Sequence, residues 1–318
     1  MNVKIGKKLG AGMMGTVYAS TIDDQPAITK IEKYDGDLTT ASNYIRQLKF
    51  NDLAKQYPDL FMTLVFSGVK EMCTHEQPIG DHIDDVKIIR ELTKKNELTQ
   101  CCILSYVPVL DGTWDSLRRS LTRPLSSKAY HSALHQLITA CNVLRTYKYV
   151  HRDVHPRNIM YKKLPRGKYM WYLIDYGTIG HKSFAVNDID RKTKNNAPDI
   201  IGVVWTFSNN ALGDYMSEHK IKYPPYKKFI KHIKKSDEYS DIKKYLPPTK
   251  NKIILNECIA LVTMIKHYNL YMDALGMPHD EYAEYYTTQD HPETLLYIIA
   301  HCAEPTYDTI LTYLKRKL

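Results

Sequence analysis

The stretch His151-Arg152-Asp153-Val154-His155-Pro156-Arg157-Asn158 reads H-R-D-x-x-x-x-N. Seventeen positions after Asn158 stands Asp175, at the end of an apolar run in Leu173-Ile174-Asp175-Tyr176-Gly177. Far upstream, residues 10–18 read Gly-Ala-Gly-Met-Met-Gly-Thr-Val-Tyr, a G-x-G-x-x-G-x-V pattern, and Lys30 follows in Ala27-Ile28-Thr29-Lys30-Ile31. These residue types suit phosphate chemistry. Asp153 can orient and deprotonate a hydroxyl. The amide oxygen of Asn158 and the carboxylate of Asp175 can hold Mg2+ on phosphate oxygens. Lys30 and the backbone N–H groups of the glycine loop can neutralise the remaining phosphate charge. Each fragment alone could be accidental; in this order they reinforce one another.

The glycine loop is the weakest fragment, because a dinucleotide-binding turn has the same spacing. That turn opens a helix. Here Thr16-Val17-Tyr18-Ala19-Ser20 follows, β-branched and aromatic, which predicts a hairpin. In the next strand, alternation puts Ile28 and Lys30 on one face and Ala27, Thr29 and Ile31 on the other. A Lys among apolar neighbours calls for an anionic partner.

The elements around these residues change character along the chain. Strand-like segments fill the first third, at about residues 1–20, 27–32, 64–69 and 101–107, with one helix spaced over Thr40–Tyr57 and closed by Pro58. A polar insertion, Lys70 to Gln100, separates the last two strands. From Ser127 onward helical periodicity dominates, as in Tyr130, Leu134, Leu137, Ile138, Cys141 and Leu144, interrupted by short apolar runs at 158–161 and 170–174. The expected fold class is α+β in two lobes: a small β-rich N-lobe at 1–107, and a larger helical C-lobe at 108–318.

At this point the chain resembles the eukaryotic-type protein kinase superfamily over nearly its whole length. Lys30-Ile31-Glu32, Leu48-Lys49-Phe50, Asp175-Tyr176-Gly177 and Pro305-Thr306-Tyr307-Asp308-Thr309-Ile310-Leu311 resemble motifs of the casein-kinase-one and vaccinia-related kinase group. The resemblance implies an ATP- and Mg2+-dependent protein kinase with a bilobal fold. It implies Asp153 as catalytic base, Asn158 and Asp175 as metal ligands, and Lys30 on the α/β-phosphates. Leu9, Gly10, Ala11, Gly12, Met13, Met14, Gly15, Thr16 and Val17 form the nucleotide-covering loop. The hinge that meets adenine falls at about Leu104 to Val107.

Three departures qualify that pattern. The helix after Lys30 holds no Glu; the register set by Leu48-Lys49-Phe50 makes Gln47 the partner of Lys30, with Asp52 as the alternative. Two positions after Asp153, His155 stands where serine/threonine kinases of the superfamily carry Lys, so it joins Asp153 and Lys30 as a catalytic candidate. The segment after Gly177 is short and has no A-P-E, with Asp199 placed to steady the H-R-D backbone. His155-Pro156 also resembles small-molecule phosphotransferases, which makes that class the enzyme rival, and a weakly active or pseudokinase scaffold is the non-enzyme rival. Serine/threonine specificity is the reading adopted.

Composition narrows the remaining classes. Among the 318 residues, no apolar run reaches a membrane span and the first eight residues, Met1 to Lys8, hold no apolar signal core. Six cysteines without a C-x-x-C pair read as reduced core thiols. A cytoplasmic setting is expected, in a host cell or virion if the AT-rich residue bias and the group resemblance reflect a large DNA virus. The net charge is +9, and residues 220–252 hold 11 Lys against three acids, which is +8 in one block. Such a block suits an acidic or prephosphorylated protein substrate, with nucleic acid less favoured and no membrane partner.

Overall fold

The computed structural model describes residues 2–11, 15–34, 38–71, 100–121, 125–181, 199–208, 224–277, 291–303 and 307–318. The chain packs as two compact units, each discontinuous in sequence. The first joins Met1–Ser116 to Arg157–Val186, and the second joins Leu117–Pro156 to Asn187–Leu318. The sequence reading placed a single division after residue 107.

The first unit is built on an antiparallel sheet of β1 (Val3–Ala11), β2 (Thr16–Ile22), β3 (Gln25–Tyr34), β4 (Thr63–Glu71) and β5 (Gln100–Val107), in the order β1-β2-β3-β5-β4. Residues around the glycine turn pair as a hairpin, Gly10 with Val17 and Ala11 with Thr16, as the β-branched residues after the turn predict. Ala27 packs with Val3, Ile22, Phe66 and Ile103 on one face, with Ile31 against them. The buried hydroxyl of Thr29 meets those of Ser20 and Ser105, each at 2.7 Å, so the polar middle of three adjacent strands is satisfied internally.

Helix α1 (Leu38–Gln56) stops two residues short of Pro58, which cannot continue it. Its Asn51 side chain donates to the Leu64 carbonyl at 2.9 Å and accepts from the Leu64 N–H at 2.8 Å. This fills the backbone bonds disturbed by the register shift between Leu64 and Phe66. A second antiparallel sheet, β6 (Gly112–Thr113), β7 (Ile159–Leu164) and β8 (Lys168–Leu173), completes the unit, with β7 in the middle. Its aromatics Trp114, Tyr161, Tyr169 and Trp171 pack as one cluster.

The second unit is helical. Helix α2 (Ser127–Thr146) begins at Ser126, whose hydroxyl accepts from the Ala129 N–H, and it buries Tyr130, Leu134, Leu137, Ile138, Cys141 and Leu144, the positions its periodicity marks. Helices α3 (Asp199–Phe207), α4 (Tyr226–Ile233), α5 (Lys252–Lys266), α6 (Tyr268–Leu275), α7 (Pro292–His301) and α8 (Asp308–Lys315) follow. Residues 258–265 of α5 are all buried, as expected of a helix at the middle of a core. Cys141, Cys258 and Cys302 are free, buried thiols. The fold is α+β, a β-sheet N-terminal region and a helical remainder. Among the described residues, no helix is long and apolar enough to cross a membrane.

Candidate active site

In the first unit, the sheet, α1 and the turn after β8 converge on Lys30. Lys30 sits in β3 between Val17 of β2 and Leu104 of β5, so its backbone is fixed on both sides. Its Nζ lies 3.1 Å from Asp175 Oδ1, a contact between residues 145 positions apart. It also lies 2.6 Å from Glu32 Oε1. Burial, the largest influence, pulls the Lys30 pKa down, but the two carboxylates outweigh it and hold the ammonium above its usual value. Burial pushes Glu32 above the usual carboxylate range, against the pull of Lys30.

Asp175 adopts a left-handed backbone, φ 65° and ψ 77°, which costs energy for a residue with a Cβ. The following Tyr176 explains how that conformation is held. Its ring is buried against Phe50 of α1 at 4.4 Å, with Phe61 and Tyr106 edge-on around it. Its hydroxyl donates to the Leu173 carbonyl and accepts from the Met62 N–H, each at 2.7 Å. Arg46 of α1 donates to the Gly177 carbonyl at 3.5 Å. Asn158 is buried just before β7, and its carbonyl accepts from the N–H of Ile174, the residue before Asp175. An amide oxygen and a carboxylate form the hard-oxygen donor set that suits Mg2+.

Two expectations about α1 are corrected. Gln47 does not pair with Lys30: its Oε1 accepts from the Tyr106 hydroxyl at 2.7 Å and its Nε2 donates to the Asn43 carbonyl at 3.3 Å. Asp52 is exposed, on the side of the helix away from the buried Gln47. The carboxylate comes instead from Glu32, which the sequence reading passed over. Period-two alternation was the available signal, since it sets residues 30 and 32 on one face of β3.

The nucleotide-loop candidates lie along the β1–β2 hairpin. Leu9 is exposed, a Cβ at Gly10 would meet no neighbouring atom, and Ala11, Thr16 and Val17 continue the pairing. Gly12, Met13 and Met14 lie outside the described residues. At Gly15 a Cβ would stand 2.5 Å from the Ile31 carbonyl oxygen and 3.1 Å from Glu32 Cγ, so only glycine lets the chain pass this close to β3. Leu104 to Tyr106 of the expected hinge are paired to both β3 and β4.

In the second unit, the catalytic-loop residues are gripped by α3. Asp199 accepts from the N–H of His151 at 2.7 Å and of Arg152 at 3.0 Å, the role its position suggested. Burial pushes the Asp199 carboxyl up, while His151 and Arg152 draw it down. Arg152 is left-handed, φ 71°. Asp153 and His155 face one another, His155 Nε2 at 3.6 Å from Asp153 Oδ2, and both are well exposed. Residues 182–198 of the segment after Gly177, and residues 220–223 of the basic block, lie outside the described residues. In α4, Phe229, Ile230 and Ile233 are buried, while Lys227, Lys228 and Lys231, and Lys234 and Lys235 just after the helix, are exposed.

No family model matches the chain. It is 26% identical to homeodomain-interacting protein kinase 1 of Caenorhabditis elegans over 179 residues, which is 54% of this chain and 20% of that protein. The chain thus spans about a fifth of the length of that relative. A solved structure of vaccinia related kinase 3 aligns over 56% of this chain and 48% of that one, at 21% identity and a TM-score of 0.38. The relative carries the name of a protein kinase.

Proposed function

We propose that the chain is an ATP- and Mg2+-dependent protein kinase that transfers the γ-phosphate to serine or threonine hydroxyls. The observation that carries this reading is the Lys30 Nζ–Asp175 Oδ1 contact of 3.1 Å, which brings together two motifs 145 residues apart in the arrangement that phosphate handling needs. Lys30 meets the α/β-phosphate oxygens. Asn158 and Asp175 would hold Mg2+ through their side-chain oxygens, and the ion would supply charge neutralisation for the phosphates. Asp153 accepts the proton of the attacking hydroxyl. His155, 3.6 Å from Asp153, orients that carboxylate and, when protonated, brings a cation to the transferring phosphate. The backbone N–H groups of the β1–β2 hairpin cover the phosphates.

The test is labelled phosphate transfer from ATP to a mixed protein panel, with phosphoamino-acid analysis. Asp153→Ala should abolish transfer and leave Mg·ATP binding largely intact. Asp175→Ala should lose metal-dependent nucleotide binding as well. Full activity in either variant refutes the assignment. Labelling of small alcohols with no labelled protein would favour the small-molecule reading, which the His155-Pro156 pair supports. The exposed Lys face of α4 suits an acidic or prephosphorylated substrate. Gln at Lys227, Lys228, Lys231, Lys234 and Lys235 should raise KM for acidic proteins and flatten its salt dependence; an unchanged KM makes this a solvated face.

A further inference from the structure

The carboxylate beside Lys30 comes from an unusual quarter. Protein kinases pair this lysine with a glutamate of the helix that follows, and activation acts through the position of that helix. Here the helix offers Gln47, an uncharged amide engaged with Tyr106 and Asn43. Glu32 Oε1 stands 2.6 Å from Lys30 Nζ instead, and the Glu32 side chain is 1% exposed. Lys30 and Glu32 are two apart in β3, so the strand itself presents both on one face. Pairing of β3 with β2 and β5 extends through both residues' neighbourhood, with Thr16 opposite Ile31 and Cys102 opposite Glu32.

The burial of Glu32 needs an explanation, because an ionised carboxylate out of water is costly unless it is paired. Its Oε1 is paired with Lys30, its Oε2 is buried, and the Gln47 amide beside it also favours the charged form. A residue kept there under that penalty, with Gly15 fitted over its Cγ, is held for what Oε1 does. We propose that Glu32 is the positioning residue for Lys30, a carboxylate carried on the same strand as the lysine, and that Gln47 of α1 supports Glu32 rather than Lys30. This rests on the kinase reading, in which Lys30 meets phosphate. Both members of the pair ride on one strand, while Gln47 of α1 reaches the Glu32 carboxyl by a side-chain hydrogen bond that favours its charged form.

Two readouts test this. The first needs no nucleotide: acylation of Lys30 by an N-hydroxysuccinimide ester, followed by peptide mass spectrometry. Glu32→Gln should raise the Lys30 acylation rate several-fold, because the amine loses the shorter of its two carboxylate contacts and is less tightly occupied. Gln47→Ala, which leaves the Lys30–Glu32 pair in place but removes an amide that supports Glu32, should change the rate less than Glu32→Gln does. The second is a double-mutant cycle on phosphate transfer. Glu32→Gln should raise KM for ATP and lower kcat/KM for ATP about tenfold or more, and the effect should vanish in a Lys30→Met background. An unchanged acylation rate, or an equal loss in the Lys30→Met background, makes Glu32 a structural residue and overturns the proposal. A wild-type protein that transfers no phosphate refutes the kinase reading instead, and the acylation result still decides the role of Glu32.

Discussion

Gly202→Ala separates stability from catalysis in a way the structure lets one estimate. A Cβ at Gly202 would lie 2.7 Å from both Val154 Cβ and the Val154 carbonyl oxygen, and 3.1 Å from Val154 Cγ1. Carbon atoms settle at about 3.5–4.0 Å, so Val154 or α3 must retreat by roughly 0.8 Å or more. Overpacking of this kind costs about 1–3 kcal/mol, while replacing glycine inside a helix returns about 1 kcal/mol. The net destabilisation is therefore about 0–2 kcal/mol, a fall in Tm of no more than several degrees. Catalysis should suffer far more. Val154 directly follows Asp153, and the preceding residues cannot slide away, because Asp199 holds the N–H groups of His151 and Arg152. A displacement near 1 Å at a reacting group costs about 100-fold in rate. The expected result is kcat about 100-fold lower at saturating ATP, with the KM for ATP and the far-UV spectrum little changed. A kcat within about threefold of wild type and an unchanged Tm would mean that α3 yields instead, and that the glycine does not fix the loop.

Asp199→Asn should lower both Tm and kcat, because an amide oxygen can serve only one of the two N–H groups well and turns its NH2 toward the other; the cost is about 1–3 kcal/mol, reduced by removing a desolvated charge, and an unaltered Tm in thermal unfolding would contradict it. Tyr176→Phe should destabilise by about 1–2 kcal/mol in chemical denaturation, since the Leu173 carbonyl and Met62 N–H both lose their partner, and equal stability would show that these groups find others. The folded Lys30 pKa is raised, so the stability from its ion pairs is fully present below the unfolded lysine value of about 10.4 and is lost as pH rises through the higher folded value. The Tm gap between wild type and Lys30→Met should therefore hold from neutral pH to about pH 10 and close only above it; a gap closing below pH 9 would contradict the pairing.

What could be read from the sequence, and what could not, follows from where each residue's partner lies. Spacing in the chain marked Asp153, Asn158 and Asp175 as candidates, because the motifs that carry them are short segments whose order is itself the signal. The β-branched residues after Gly15 announced a hairpin rather than a helix, since that choice is local. Helix α2 was legible at its buried positions for the same reason. Gln47 was not, because its partner Tyr106 is 59 residues away on β5, and no helical register could show that the amide was already engaged. Gly202 reads in sequence as a weak helix former among apolar residues; only the backbone of Val154 against it shows why a Cβ is excluded. Glu32 is the instructive case, because its partner is local and it was still missed. A missing helix glutamate directs attention to the helix, yet the need at Lys30 is for a nearby carboxylate whatever element carries it. Strand periodicity meets that need two residues along, where the carboxylate shares a strand with the lysine.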